Sequence, residues 1–501
     1  MALTLPALLQ ETARHHAGHV FLICDDLQLT YAQTLDLVQR ATTYLRDEGV
    51  GRDSHVALML RNHPAFLIVW FALSSLGSVV VPINTDMKGK TLRHIIEQSD
   101  VQMVITEARY SQQIGDALQE WPGAPKVVQR NTAAEYLSAL AQTSPDLCGT
   151  DFSDTLPMMI TYTSGTTNMP KGVVLSHRSY VAAGRDMAAV LQLTSHDRYY
   201  LFLPLFHVNP QMYAVMAALH AGSSIAIDER FSARNFWRRV VETGATVFTY
   251  VGTVLSILAR GERPRSLGAL RLCVGGGATV SVWETLNSWG IDVREIYGMT
   301  ELGGFTTANT AEACKLGSVG RPRVCQDVDI RDADDRSQPD GVPGEIVVRA
   351  NVEHVVFDGY YKRPDLTAER LRGGWFHTDD MGHRDAEGYY YFVDRSKDMI
   401  RKKGENISPT HLEELLSECP YVKEVSVVGV PSDIGEEDIK AVVVPRSSIT
   451  PSDLHEWCLA HVPQFMVPRY YELRTSLPKT ATSKTSRREL MSIAETWDCE
   501  A

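Results

Sequence analysis

The chain predicts an α/β protein in two units. Three observations carry that expectation. Short β-rich runs alternate with helical segments over most of the length, the rhythm stops and restarts on a smaller scale near residue 394, and 501 residues are many for one core. Strands are expected at 56–60, 101–105, 198–203 and 224–227, with helices between, as at 31–48 and at 232–242, where Ser232 is the candidate N-cap. Strand–helix alternation implies parallel or mixed sheets with crossover helices. Between 328 and 349 the pattern turns to short strands punctuated by Gly341-Val342-Pro343-Gly344, which suits a small β-barrel-like element. Beyond Asp394, Ser408 caps a helix that has Pro409 in its first turn and Leu412, Leu415 and Leu416 on one face. Strands at 425–430 and 439–444 follow, then a helix from Thr450-Pro451, so this unit is α+β. The division falls at 1–394 and 395–501, a second unit of ordinary domain size. No long low-complexity linker separates the two, so they should meet closely.

Composition narrows the function. At 44% hydrophobic residues there is material for large buried sheets, and a formal net charge of −12 argues against nucleic acid as the main partner. The eight cysteines are scattered without a Cys-x-x-Cys pair, which reads as reduced thiols in a cytoplasmic protein. No signal peptide is expected at the N-terminus, and Asp498-Cys499-Glu500-Ala501 carries no peroxisomal or prenylation address. Residues 65–84 form an uncharged run nearly long enough to span a bilayer. Pro64 at a helix start, Gly77 as an interruption and Ser78-Val79-Val80-Val81-Pro82 as strand composition favour a buried helix and a buried parallel strand instead.

Residues 161–172, Thr-Tyr-Thr-Ser-Gly-Thr-Thr-Asn-Met-Pro-Lys-Gly, are the most informative stretch. Hydroxyls of Thr163, Ser164, Thr166 and Thr167 surround Gly165 on a turn between two expected strands, and Lys171 adds a point charge. Exposed amides and hydroxyls on such a turn can wrap phosphate oxygens; a plain polar hairpin is the alternative. The loop is not a Walker sequence. The only Gly-Lys-Thr, at 89–91, lacks the glycine five positions earlier, where Asn84 sits, and reads as a helix start.

The stretch resembles the signature loop of the adenylate-forming superfamily, which includes acyl-CoA synthetases, peptide-synthetase adenylation domains and luciferases, although Asn168 stands where that family has glycine or serine. Six further motifs match in order and approximate spacing: Leu203-Pro-Leu-Phe-His207, Cys273-Val-Gly-Gly-Gly-Ala278, Ile296-Tyr-Gly-Met-Thr-Glu301, Gly374-Trp-Phe-His-Thr-Asp-Asp380, the run from Tyr391 to Ser408, and Leu477-Pro-Lys-Thr-Ala-Thr-Ser-Lys484. The resemblance implies that Thr163 to Thr167 and Lys171 hold ATP phosphates. It sets His207 against the acyl group, and Gly275, Gly276 and Gly277 beside adenine and the acyl pocket, which Val251, Gly298 and Gly303 also line. It sets Tyr297 against adenine, Thr300 at the α-phosphate and Glu301 on Mg²⁺. Asp380 and Arg395 would grip the ribose, with Asp379 in place of the usual glycine. Lys397 would be the hinge about which the small unit turns. Gly404 would approach the thiol donor, with Arg401, Lys403 and Asn406 near coenzyme A; for the basic cluster, a solvated face is the equal alternative. Lys484, after Ser483 where the family has glycine, would bridge the carboxylate and the α-phosphate.

The implied activity is an ATP-, Mg²⁺- and coenzyme A-dependent acyl-CoA synthetase. Two rivals stand beside it: a stand-alone adenylation enzyme that loads a carrier protein, and a non-catalytic acyl or nucleotide binder, suggested by Asn168, Asp379 and Ser483. No aspartate near 249–252 matches the one that holds a substrate ammonium in peptide synthetases, so amino acids are disfavoured. Glycines at 275–277, 298, 303 and 304 suggest a roomy pocket, with no buried charge seeking an ionic tail. A medium-to-large, mostly apolar or ring-bearing carboxylic acid is expected. The oligomeric state stays open, a homodimer among the options.

Overall fold

A computed structural model describes residues 4–140, 142–145, 152–163, 169–395, 399–433, 435–478, 487–493 and 496–500, with backbone alone at 394, 395 and 488. Two sheets dominate the first unit. One joins Lys126–Arg130, Met103–Glu107, His55–Met59, Val79–Pro82 and Pro157–Thr163 in parallel, and Lys171–Ser176 closes it antiparallel. The other has nine strands; its middle, Ser224–Ile227, Arg198–Leu201, Val247–Val251, Leu272–Gly276 and Asp292–Tyr297, is parallel, with short antiparallel strands at the edges. Parallel neighbours need a crossover, and the intervening helices supply it.

The uncharged run resolves as expected. Helix Pro64–Ser75 has every residue buried and packs against Val79–Pro82 of one sheet and Val20–Cys24 of the other. Pro64 occupies the first turn, where its missing N–H costs nothing, and the His63 ring accepts the Ala65 N–H at 3.1 Å. Among the described residues, no helix is long and apolar enough to cross a membrane. The seven described cysteines are free.

A third sheet is antiparallel throughout and contains Gln326–Arg331, Gly344–Ala350, Leu371–Arg372, Trp375–Arg384 and Tyr390–Arg395. The last unit has its own core, with Leu412, Leu416, Val427, Ile439 and Leu454 buried together beneath Val422–Pro431 and Glu437–Pro445. Ser408 caps helix Pro409–Ser417, accepting the His411 N–H at 3.3 Å, and Thr450 with Asp453 forms a capping box on Pro451–His461.

Two local features depart from expectation. The helix placed at 232–242 is Phe236–Thr243; Ser232 instead closes a turn, its carbonyl taking the Asn235 N–H at 3.1 Å. A cap-type residue serves a turn equally well, and here the turn wins. Downstream of His207, Asn209–Met216 winds as a π-helix, for which the sequence offered no signal. The Gly89-Lys90-Thr91 segment does start a helix, Gly89–Gln98, and that helix docks the last unit. Lys90 Nζ lies 2.6 Å from Glu418, Thr91 Oγ1 lies 3.2 Å from His411 Nε2, and Lys88 donates to the Leu459 carbonyl at 3.2 Å.

Candidate active site

A cleft of about 670 Å³ opens where the small unit meets the large one. At one end, strand Asp292–Tyr297 delivers Tyr297, whose hydroxyl donates to Asp380 Oδ2 at 2.9 Å. Asp380 is buried, with its own N–H on Thr378 Oγ1 at 3.0 Å. The Phe392 ring lies 6.3 Å from Tyr297, nearly stacked. Further along, the Lys171 ammonium sits 4.3 Å over the Tyr360 ring, and the Tyr360 hydroxyl donates to Glu301 Oε1 at 2.8 Å. Burial lowers the Lys171 pKa, and the Glu301 charge opposes that. Thr163 and Thr300 line the same end.

At the other end the small unit enters. Gly404 lies against Val251, and Glu405 Oε1 meets His207 Nε2 at 2.7 Å. Burial alone would lower the His207 pKa, but the Glu405 carboxylate outweighs it and holds the ring above its ordinary value. Lys403 and Asn406 line the cleft. Arg401 does too, but it is engaged by protein carboxylates: its Nε lies 3.5 Å from Glu436 Oε1, and its backbone N–H donates to Glu437 at 3.0 Å. Lys402 is turned inward onto the Val467 carbonyl at 2.9 Å, so the basic cluster is not a simple solvated face.

Most expected residues within the described set therefore converge, with two corrections. Gly275 and Gly303 do not line the cleft. A Cβ on Gly275 would fall 2.1 Å from the Tyr250 carbonyl oxygen, and one on Gly303 would fall 2.1 Å from that of Val355. They are glycines because backbone packs on backbone there, and they make no room for a ligand; Gly276, Gly277, Gly298 and Gly304 do border the cleft. Ser164 to Asn168, Lys397, Ser483 and Lys484 lie outside the described residues, as does the side chain of Arg395.

One buried carboxylate that the motifs did not single out also borders the cleft, held by groups of the protein itself. Glu295 is 5% exposed and borders the cleft. Its carboxylate accepts the N–H groups of Gly277 and of Ala278, the latter at 3.1 Å, and the Tyr250 hydroxyl at 2.5 Å. Burial pushes its pKa up to about 7 against those hydrogen bonds and the Arg401 charge. A signal was present: Glu295 stands two residues before Tyr297, and such positions on a strand share a face. Tyr360 and Arg370 had no comparable signal, because only tertiary folding brings them to the cleft, whereas Glu405 stands between Gly404 and Asn406, both already expected there. Asp379 turns its carboxylate onto the Arg370 guanidinium rather than outward.

Glu301 suits Mg²⁺ in a restricted sense. Among the described residues no group of three or more His, Cys, Asp or Glu gathers to hold a metal. A buried carboxylate bordering the cleft fits an ion that brings substrate oxygens with it.

The profile of the AMP-binding enzymes matches residues 9–361, and that of the AMP-binding enzyme C-terminal domain matches 411–484. The chain belongs to the AMP-binding enzymes. Within them it is similar to the crotonobetaine/carnitine–CoA ligase of Citrobacter koseri, at 33% identity over 92% of this chain and 93% of that one. This AMP-binding enzyme shares its fold with the o-succinylbenzoate CoA synthetase of Bacillus subtilis. A double mutant of that synthetase bound to a product analogue superposes with a TM-score of 0.86 at 24% identity, covering 96% of this chain and 98% of that one. The same synthetase in complex with AMP gives 0.70 at 24% identity, covering 97% and 98%.

Proposed function

We propose that this AMP-binding enzyme is an AMP-forming acid–thiol ligase: a carboxylic acid and MgATP give an acyl-adenylate and pyrophosphate, and the thiol of coenzyme A then gives the thioester and AMP. The carrying observation is the single cleft that joins the Tyr297–Asp380 and Glu301–Lys171 groups to the Gly404 loop of the small unit. A carboxylate is a poor electrophile with no leaving group, and joining it to the α-phosphate supplies one. In the first step the carboxylate oxygen bonds to the α-phosphorus and pyrophosphate leaves. In the second the thiol sulfur bonds to the acyl carbon, AMP leaves and the thiol proton passes to solvent. Asp380 and Tyr297 would hold the nucleoside, and Lys171 with Thr163 would hold the phosphates. Glu301 would hold Mg²⁺, which would supply positive charge against the phosphates.

The arrangement in hand, with Gly404 and Glu405 against Val251 and His207, suits the second step, and the better superposition on the product-analogue complex than on the AMP complex supports that assignment. Lys484 would serve the first step, after the unit at 395–501 turns about Lys397. Lys484→Ala should abolish adenylate formation yet leave thioester synthesis from supplied acyl-adenylate largely intact; equal loss of both half-reactions contradicts this. The acid in this reading is medium-to-large, with apolar or ring character. The reading places the protein in the cytoplasm, and light scattering would show whether it forms a homodimer. The deciding assay is pyrophosphate release over fatty, aromatic, terpenoid and zwitterionic acids, with and without coenzyme A or a carrier protein. Release and thioester formation with coenzyme A support the reading; release only with a carrier protein replaces it.

A further inference from the structure

The Arg370–Asp379 pair takes no part in the chemistry above, yet both residues line the cleft, with side chains only 11% and 22% exposed. Asp379 holds φ +61°, a left-handed conformation disfavoured for any residue that carries a Cβ. The turn itself does not need this carboxylate. The Asp379 N–H is held by Glu345 Oε1 at 2.9 Å, and glycine would supply the same backbone without cost. What the carboxylate does is hold Arg370. The guanidinium Nη1 meets Asp379 Oδ2 and donates to the His377 carbonyl at 3.2 Å. Both contacts use one nitrogen, and a guanidinium carries five N–H groups.

Placement gives the pair a direction. Arg370 shares its electrostatic surroundings with Lys171, Tyr360 and Glu301, the groups at the phosphate end of the cleft. An uncompensated carboxylate at 379 would add negative charge where a polyphosphate must lie. Arg370 cancels that charge, and its planar fork matches phosphate oxygens better than an ammonium does. We propose that Arg370 is a further ATP-binding residue, parked on Asp379 and transferred to the outer phosphates when MgATP enters. The proposal rests on the nucleotide half of the reading above and on no particular acid or thiol.

Isothermal titration of the full chain with MgATP and with AMP tests it, using Asp379→Gly and the double variant Arg370→Ala/Asp379→Gly. Comparing these two avoids leaving an unpaired carboxylate; Asp379→Gly alone leaves the guanidinium on the His377 carbonyl without its carboxylate. Removing the guanidinium from the Asp379→Gly background should weaken MgATP roughly tenfold or more, as loss of a charge-assisted phosphate contact does, while AMP, which lacks the outer phosphates, changes by less than about twofold. A cooperative thermal transition in each variant shows that both are folded. Equal MgATP affinity in both, or equal weakening of MgATP and AMP, overturns the assignment of Arg370 alone. A wild-type chain that binds no MgATP overturns the ligase reading as well.

Discussion

Glu295 shows how one side chain couples the cleft to stability. Two backbone N–H groups of the glycine turn and the Tyr250 hydroxyl converge on it, which favours the ionised form, while burial favours the protonated one and wins. With its pKa raised from the ordinary 4.5 to about 7, the folded state binds more protons than the unfolded state between those values. Stability therefore falls as pH rises through that window, by on the order of 3 kcal/mol for this group. Glu295→Gln should abolish that slope while costing about 1–3 kcal/mol, because the amide oxygen can still take the turn's N–H groups but the NH₂ in place of Oε2 cannot accept the Tyr250 hydroxyl. Thermal midpoints of both proteins across pH 4.5 to 7 check this, and parallel profiles would contradict it. Asp379 teaches a related lesson at the same scale: the sequence shows a charge in a glycine's place, and only the fold supplies its partner, Arg370.

Helix Pro64–Ser75 is the element on which the first unit turns, since it packs against strands of both large sheets. Trp70 is fully buried within it and meets Tyr180 edge-on at 5.6 Å. Trp70→Ala should cost about 3–5 kcal/mol, read as a lower denaturant midpoint with an unchanged slope. A loss below about 1 kcal/mol would mean that the helix is not central to the core. Elements of this kind were legible where local chemistry alone decides them: Pro64, Pro409 and Pro451 each open a helix as expected, and Ser224–Ile227 is a strand with the expected ends. Legibility failed at Ser232, where turn and cap make the same local demand, and at Asn209–Met216, where nothing local announces a π-helix. That helix follows His207 directly, in keeping with the tendency of such windings to occur at functional sites.

At the scale of the whole molecule, the proposed exchange between two arrangements of the units can be tested at Gly404. Gly404 has φ +84°, and a side chain there would strike Val251, with a Cβ only 2.9 Å from Val251 Cγ2. Gly404→Leu should therefore block the arrangement described above and spare the other: thioester formation falls at least about a hundredfold, as expected when a clash of several kcal/mol must be relieved, while acid-dependent pyrophosphate release persists. Rapid-quench measurement of each half-reaction checks this, and normal thioester turnover would refute it. The motifs in the sequence sufficed to name the family and several of the residues that border the cleft, because they are written in short contiguous runs. Two matters were decided only by tertiary structure: that Gly275 and Gly303 serve backbone packing, and that Tyr360 and Arg370 reach the site at all. Each depends on segments far apart along the chain being pressed together, and neither residue spacing nor composition records such a meeting.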